Sequence, residues 1–104
     1  MPTSLCCLNV GSRLRRSSPE FVALDKTVGR TDGAIPRKYR ELMALAVAFT
    51  TQCLYCLDVH AALAKRAGAR REEVAETAFI AAALRARAAV THGTLALKLF
   101  DAAR

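Results

Sequence analysis

The chain has 104 residues, 53% hydrophobic and 24% charged, which suits one globular domain and is too short for two independent cores. Its longest apolar run falls far short of the roughly 18 residues a membrane span needs, and no apolar signal segment lies near the N-terminus. The expectation is a cytoplasmic protein with no membrane association. The formal net charge of +7 invites a nucleic-acid or acidic partner. Residues 1–40, however, hold eight basic and three acidic side chains, whereas residues 41–104 hold eight and six. The excess belongs mostly to the N-terminus, which disfavours nucleic acid as the partner of the main body.

Residues 1–18 include Arg13, Arg15 and Arg16 among Ser12, Ser17 and Ser18, with no acidic residue, and read as a flexible basic tail. Cys6 and Cys7 sit there outside any amphipathic period and read as incidental, exposed and oxidation-prone thiols. The domain proper is expected over residues 19–104. Ser18 as N-cap and Pro19 as first helical residue suit a short helix to Val28, ended by Gly29. Thr31-Asp32-Gly33 reads as a turn, and Pro36 opens a helix on which Leu42, Leu45, Ala46 and Phe49 share one face.

Thr50-Thr51 is expected to cap a helix starting near Gln52, with Cys53 and Cys56 in its first turn, running through His60 to Lys65-Arg66 and stopping at Gly68. Arg71-Glu72-Glu73 starts another, to about Leu84, and a last helix is expected over roughly Ala88 to Ala102, with Gly93 a weak point inside it. No segment has a β period and no internal repeat occurs, so the fold class is all-α, a compact helical domain. Alanine supplies 19 of the 64 residues from Glu41 onward. Small side chains bury little apolar area each, so the core is thin and a helical homo-oligomer is expected.

Chemistry concentrates in Cys53-Leu54-Tyr55-Cys56 and His60. Each helical residue advances about 100°, so two thiols and an imidazole fall within a sector of about 60°. Cysteines at i and i+3 are close enough for a disulfide, and His60 is within reach of Cys56. A thiol at a helix start feels unpaired N–H groups that favour the reactive thiolate. Glu41, twelve residues before Cys53 on the preceding helix, would hydrogen-bond His60 and raise its basicity if the two helices pack antiparallel. Spacing alone leaves open which face Glu41 occupies.

The run Lys38-Tyr39-Arg40-Glu41-Leu42-Met43-Ala44-Leu45-Ala46-Val47-Ala48, followed by Cys53-Leu54-Tyr55-Cys56-Leu57-Asp58-Val59-His60, resembles the alkylhydroperoxidase D-like branch of the carboxymuconolactone decarboxylase family. The likeness continues through Ala67-Gly68-Ala69, Glu72 to Thr77 and His92-Gly93, and covers about residues 20–100. It implies an all-helical AhpD-like fold, assembly into homotrimers or homohexamers, and thiol-dependent peroxidase or disulfide reductase chemistry. By position, Cys56 is the thiol activated by His60 and Glu41, and Cys53 is its disulfide partner. The resemblance implies no tightly bound cofactor, a peroxide or disulfide substrate, an external dithiol reductant such as a dihydrolipoyl protein, and a peroxiredoxin as a further partner.

The sequence departs from that pattern where Tyr55 replaces a second His between the cysteines, and where Leu84-Arg85-Ala86-Arg87 replaces a turn that commonly contains Gly. Three alternatives stand beside the redox reading. Cys53, Cys56, His60 and His92 supply a donor set for zinc, but His60 follows Cys56 too closely for a usual zinc-finger layout, so no metal site is expected. A non-redox decarboxylase-like lyase would not need the cysteines, and a basic binding module would act through Arg13, Arg15 and Arg16. Tyr55 reads as a wall of the site, and His92 as an inter-helix or interface residue.

Overall fold

The computed structural model describes residues 18–104 as four helices with no strand among them: α1 (Ser18–Val28), α2 (Arg37–Thr51), α3 (Leu54–Arg66) and α4 (Arg71–Ala102). The expected basic tail with Arg13, Arg15 and Arg16, the pair Cys6 and Cys7, and the capping side chain of Ser18 lie outside the described residues. The all-α expectation holds.

Local chemistry accounts for most of the boundaries. The Gly29 N–H bonds Asp25 O at 2.9 Å as α1 ends. Pro36, extended at φ −55°, precedes α2, and its carbonyl accepts from Tyr39 and Arg40. Past α3, Gly68 takes φ +90°, a conformation that favours glycine, and its N–H closes on Lys65 O.

The region from Arg71 onward corrects the expectation of two helices. α4 runs unbroken for 32 residues, about 48 Å at 1.5 Å per residue. Leu84-Arg85-Ala86-Arg87 contains neither Gly nor Pro and consists of strong helix formers, so nothing in the backbone turns the chain there. Gly93 lies inside the helix without interrupting it.

α2 is the central element: it packs against both α3 and α4. Its deepest positions are Glu41, Leu45 and Ala48, while Leu42, Ala46 and Phe49 of the expected apolar face are only half-buried. Packing against two neighbours moves the deepest line of the helix, and a carboxylate on that line escapes any search for apolar periodicity. Ala64 on α3 and Ala81 on α4 complete the buried apolar set, in which Leu45 is the only large side chain among the described residues. Glu73 ties the start of α4 in place. Its carboxylate accepts the Arg70 N–H at 2.9 Å and pairs with Lys38 Nζ of α2 at 3.1 Å. These contacts, the Arg70 N–H first and Lys38 second, hold the Glu73 carboxyl below its ordinary value.

Two parts of the chain have little cover. Every residue from Ala82 to Arg104 is exposed, Val90, Leu97 and Phe100 among them. α1 packs on none of the other described helices, and Phe21 and Leu24 are exposed on it. Its C-terminal end is held instead by α2 arginines: Arg37 Nη1 donates to Gly29 O at 3.4 Å and Arg40 Nη1 donates to Arg30 O. Cations suit the free carbonyls at a helix C-terminus.

Candidate active site

The link between α2 and α3 places the cysteines. Gln52 adopts a left-handed conformation at φ 57° and ψ 41°, and the N–H groups of Gln52 and Cys53 both return to Ala48 O. The Thr50 and Thr51 hydroxyls donate back to Val47 O at 2.9 and 3.0 Å, so the expected threonine cap of the next helix is not formed. The turn at Gln52 separates both threonines from the new helix, and Cys53 takes the cap instead. Its backbone is extended and its Sγ accepts the Cys56 N–H at 3.3 Å. Leu57 N–H closes the first turn on Cys53 O.

Cys53 and Cys56 are joined as a disulfide, with Cα atoms 5.2 Å apart. Both residues are half-buried. The Cys53 sulfur thus lies at the N-terminus of α3, where the Cys56 N–H faces it.

His60 lies one turn beyond Cys56 on α3, and its Nδ1 is 2.6 Å from Oε2 of Glu41 across the α2–α3 interface. An ionised carboxylate only accepts, so in neutral His60 the Nδ1 carries the proton and Nε2 keeps the lone pair. Glu41 is 7% exposed, whereas His60 remains partly open. Arg37, one turn before Glu41 on α2, places Nε 3.8 Å from the other carboxylate oxygen. The buried charge thus has a cation on one oxygen and the imidazole on the other.

A cavity of about 250 Å³ opens beside this pair, between the end of α1 and the facing sides of α2 and α3. Glu41 and His60 lie on its wall with Arg30, Arg37 and Arg40, and Val59 and Leu63 of α3 form part of its apolar side. Cys56, Val59, His60 and Leu63 follow one another at helical spacing, so the disulfide sits one turn along α3 from the cavity.

The structure brings Glu41 to His60 and Cys53 to Cys56, the latter pair on the same helix start that leads to His60. Tyr55 is half-buried beside them, while His92 lies in the exposed run of α4. No cluster of three or more His, Cys, Asp or Glu side chains among the described residues is placed to hold a metal ion. The sequence reading missed the three arginines. The Arg37–Glu41 spacing of i, i+4 is a signal that points to Arg37. Nothing local marks Arg40, whose bond to the Arg30 carbonyl depends on the path of the preceding loop.

An all-helical domain with a Cys-x-x-Cys disulfide and a carboxylate-held histidine defines a recognisable class of protein. Residues 20–99 match the carboxymuconolactone decarboxylase family, and the chain belongs to that family. It is 39% identical over 102 residues to a Paracoccus denitrificans protein described as uncharacterized protein 4 in cox locus, a match covering 97% of this chain and 91% of that protein. No helix among the described residues is long and apolar enough to cross a membrane.

Proposed function

We propose that the chain is a thiol-dependent oxidoreductase of the alkylhydroperoxidase D-like branch, cycling Cys53 and Cys56 between dithiol and disulfide. The observation that carries this reading is the 2.6 Å Glu41–His60 contact on the helix that also bears the cysteine pair. His60 Nε2 takes the proton of the Cys56 thiol, and the thiolate attacks the terminal oxygen of a hydroperoxide. The O–O bond breaks, the departing alkoxide takes that proton and leaves as the alcohol, and Cys56 becomes a sulfenic acid. The Cys53 thiol then attacks the Cys56 sulfur, forming the disulfide and releasing water. A dithiol of the dihydrolipoyl type restores the pair by exchange, itself becoming a disulfide.

Glu41 supports this cycle by holding His60 in the tautomer that accepts at Nε2. The cycle needs no tightly bound cofactor and suits a reducing, cytoplasmic compartment. A peroxiredoxin is a natural disulfide substrate for the same dithiol, and the uncovered length of α4 fits assembly into a homotrimer or homohexamer. Glu41 and His60 would also serve proton transfer in a decarboxylase-like lyase; the cysteine pair beside them favours the redox reading.

The test is the pH dependence of alkylation at each cysteine, mapped by peptide mass spectrometry on reduced protein. The expected result is a thiolate titrating well below the unperturbed value of about 8.5 at Cys53 or Cys56. Two ordinary or unreactive thiols, together with turnover of a lactone acid by fully alkylated protein, would establish the lyase instead.

A further inference from the structure

We infer that the cavity between α1 and the α2–α3 pair is a subsite for the carboxylate end of the substrate, so that the preferred oxidant is a short-chain carboxylic acid bearing a hydroperoxide. This rests on the dithiol reading above and adds the substrate class to it. Three arginines, Arg30, Arg37 and Arg40, lie on the wall of a cavity of about 250 Å³. Two of them converge at Gly33, where a Cβ would stand 3.1 Å from Arg40 Nη1 and 3.6 Å from Arg30 Nε. A side chain at Gly33 would push them apart. Like charges held this close favour an anion between them.

The contacts these guanidiniums make among the described residues are few. Arg40 donates to Arg30 O, Arg37 to Gly29 O and toward Glu41, and Arg30 stands 4.0 Å from the exposed Asp32. A guanidinium carries five N–H donors in a fork that matches a carboxylate, more than these contacts use. Asp25 and Glu41 share the wall, and Arg30 and Arg37 each stand within 4.0 Å of a carboxylate, Asp32 and Glu41, whereas Arg40 forms no ion pair among the described residues. The charge of Glu41 is already engaged by His60 and Arg37.

The rest of the cavity fits an alkyl segment. Val28, Ala44, Val59 and Leu63 line it, and the last two lie on the α3 stripe that leads back to Cys56. One helical turn, about 5.4 Å, separates that stripe from the cysteine. A carboxylate seated on the arginines therefore directs a chain of a few carbons along Val59 toward Cys56. The hydroperoxide at its far end is reduced to the alcohol as Cys53 and Cys56 are oxidised to the disulfide, with one water released.

The experiment uses the full reduced chain and follows loss of free thiol with three oxidants: hydrogen peroxide, hydroperoxyhexanoic acid and the methyl ester of that acid. The expected result is a second-order rate constant about tenfold higher for the acid than for its ester, the effect of one charge-assisted contact. Hexanoate should compete with the acid, and hexanol should not. In the Arg30→Gln and Arg40→Gln variants the ratio of acid to ester should fall toward one. Equal rates for acid and ester in the unmodified protein, or a ratio unchanged by both substitutions, would overturn the carboxylate subsite and leave the dithiol reading standing. Failure of all three oxidants to form the disulfide would remove the dithiol reading, and this proposal with it.

Discussion

Glu41 Oε2 and His60 Nδ1 stand 2.6 Å apart across the contact between α2 and α3, and Glu41 is the only buried charged side chain among the described residues. The pair joins the central helix to the helix that carries both cysteines, so one interaction contributes to packing and sets the proton position on the imidazole. Glu41→Gln tests the second role. An amide can offer N–H to Nδ1 and stabilise the wrong tautomer. Peroxide-driven disulfide formation should slow by about 10- to 100-fold, with a circular dichroism spectrum like that of the parent. A rate within about twofold of the parent would sink the role given to Glu41.

Glu73 makes stability depend on pH in one direction. Its folded carboxyl is held below the ordinary value of 4.5 by the Arg70 N–H and by Lys38. A depressed folded value means the unfolded chain binds the proton more readily, so the stabilisation is present above 4.5 and is lost as pH falls through the lower folded value. Glu73→Gln should therefore lower the thermal midpoint at neutral pH, with the gap to the parent closing in acid. A gap that stays constant down to strong acid would show that the charge of Glu73 contributes nothing.

Leu45 is 1% exposed and is the one large side chain fully buried among the described residues. Leu45→Ala removes it from the line where α2 meets its neighbours, and should cost about 3 kcal/mol in urea unfolding. Val47, two positions on, is 61% exposed. Val47→Ala should stay within about 0.5 kcal/mol. Similar losses at the two sites would mean that Val47 is covered in solution.

The C-terminal part of α4 exposes Leu97 at 66% and Phe100 at 78%. Isolated exposed apolar residues are ordinary, but a run with no neighbouring element among the described residues has the character expected of an association surface. Light scattering coupled to size exclusion should report an oligomer for the parent chain and a smaller species for the Leu97→Asp, Phe100→Asp double variant. A monomeric parent would remove the assembly from the proposed function.

How much of this was legible in advance follows from the range of each interaction. Gly29, Pro36 and Gly68 mark helix ends through their own backbone preferences, and each boundary lies at or beside them. The break expected near Arg85 and Arg87 is absent because a charged stretch without Gly or Pro has no local reason to leave a helix. The threonine cap fails for a reason within a few residues: the left-handed Gln52 hands the cap to Cys53, and a cysteine is not among the residues usually sought there.

The sequence by itself determined the helical class, most helix ends, and the placing of Cys56 and His60 one turn apart on one helix, because those relations are set by backbone preference and by the fixed pitch of a helix; Cys53, expected inside the first turn, stands just before it as the extended cap. Only the tertiary structure decided that Glu41 faces His60, that Arg37 holds its second oxygen, and that Arg30 and Arg40 converge beside Gly33. Spacing fixes positions around one helix axis. The rotation of one helix against another depends on which side chains interlock, and the path of a loop depends on which carbonyls the neighbouring arginines reach.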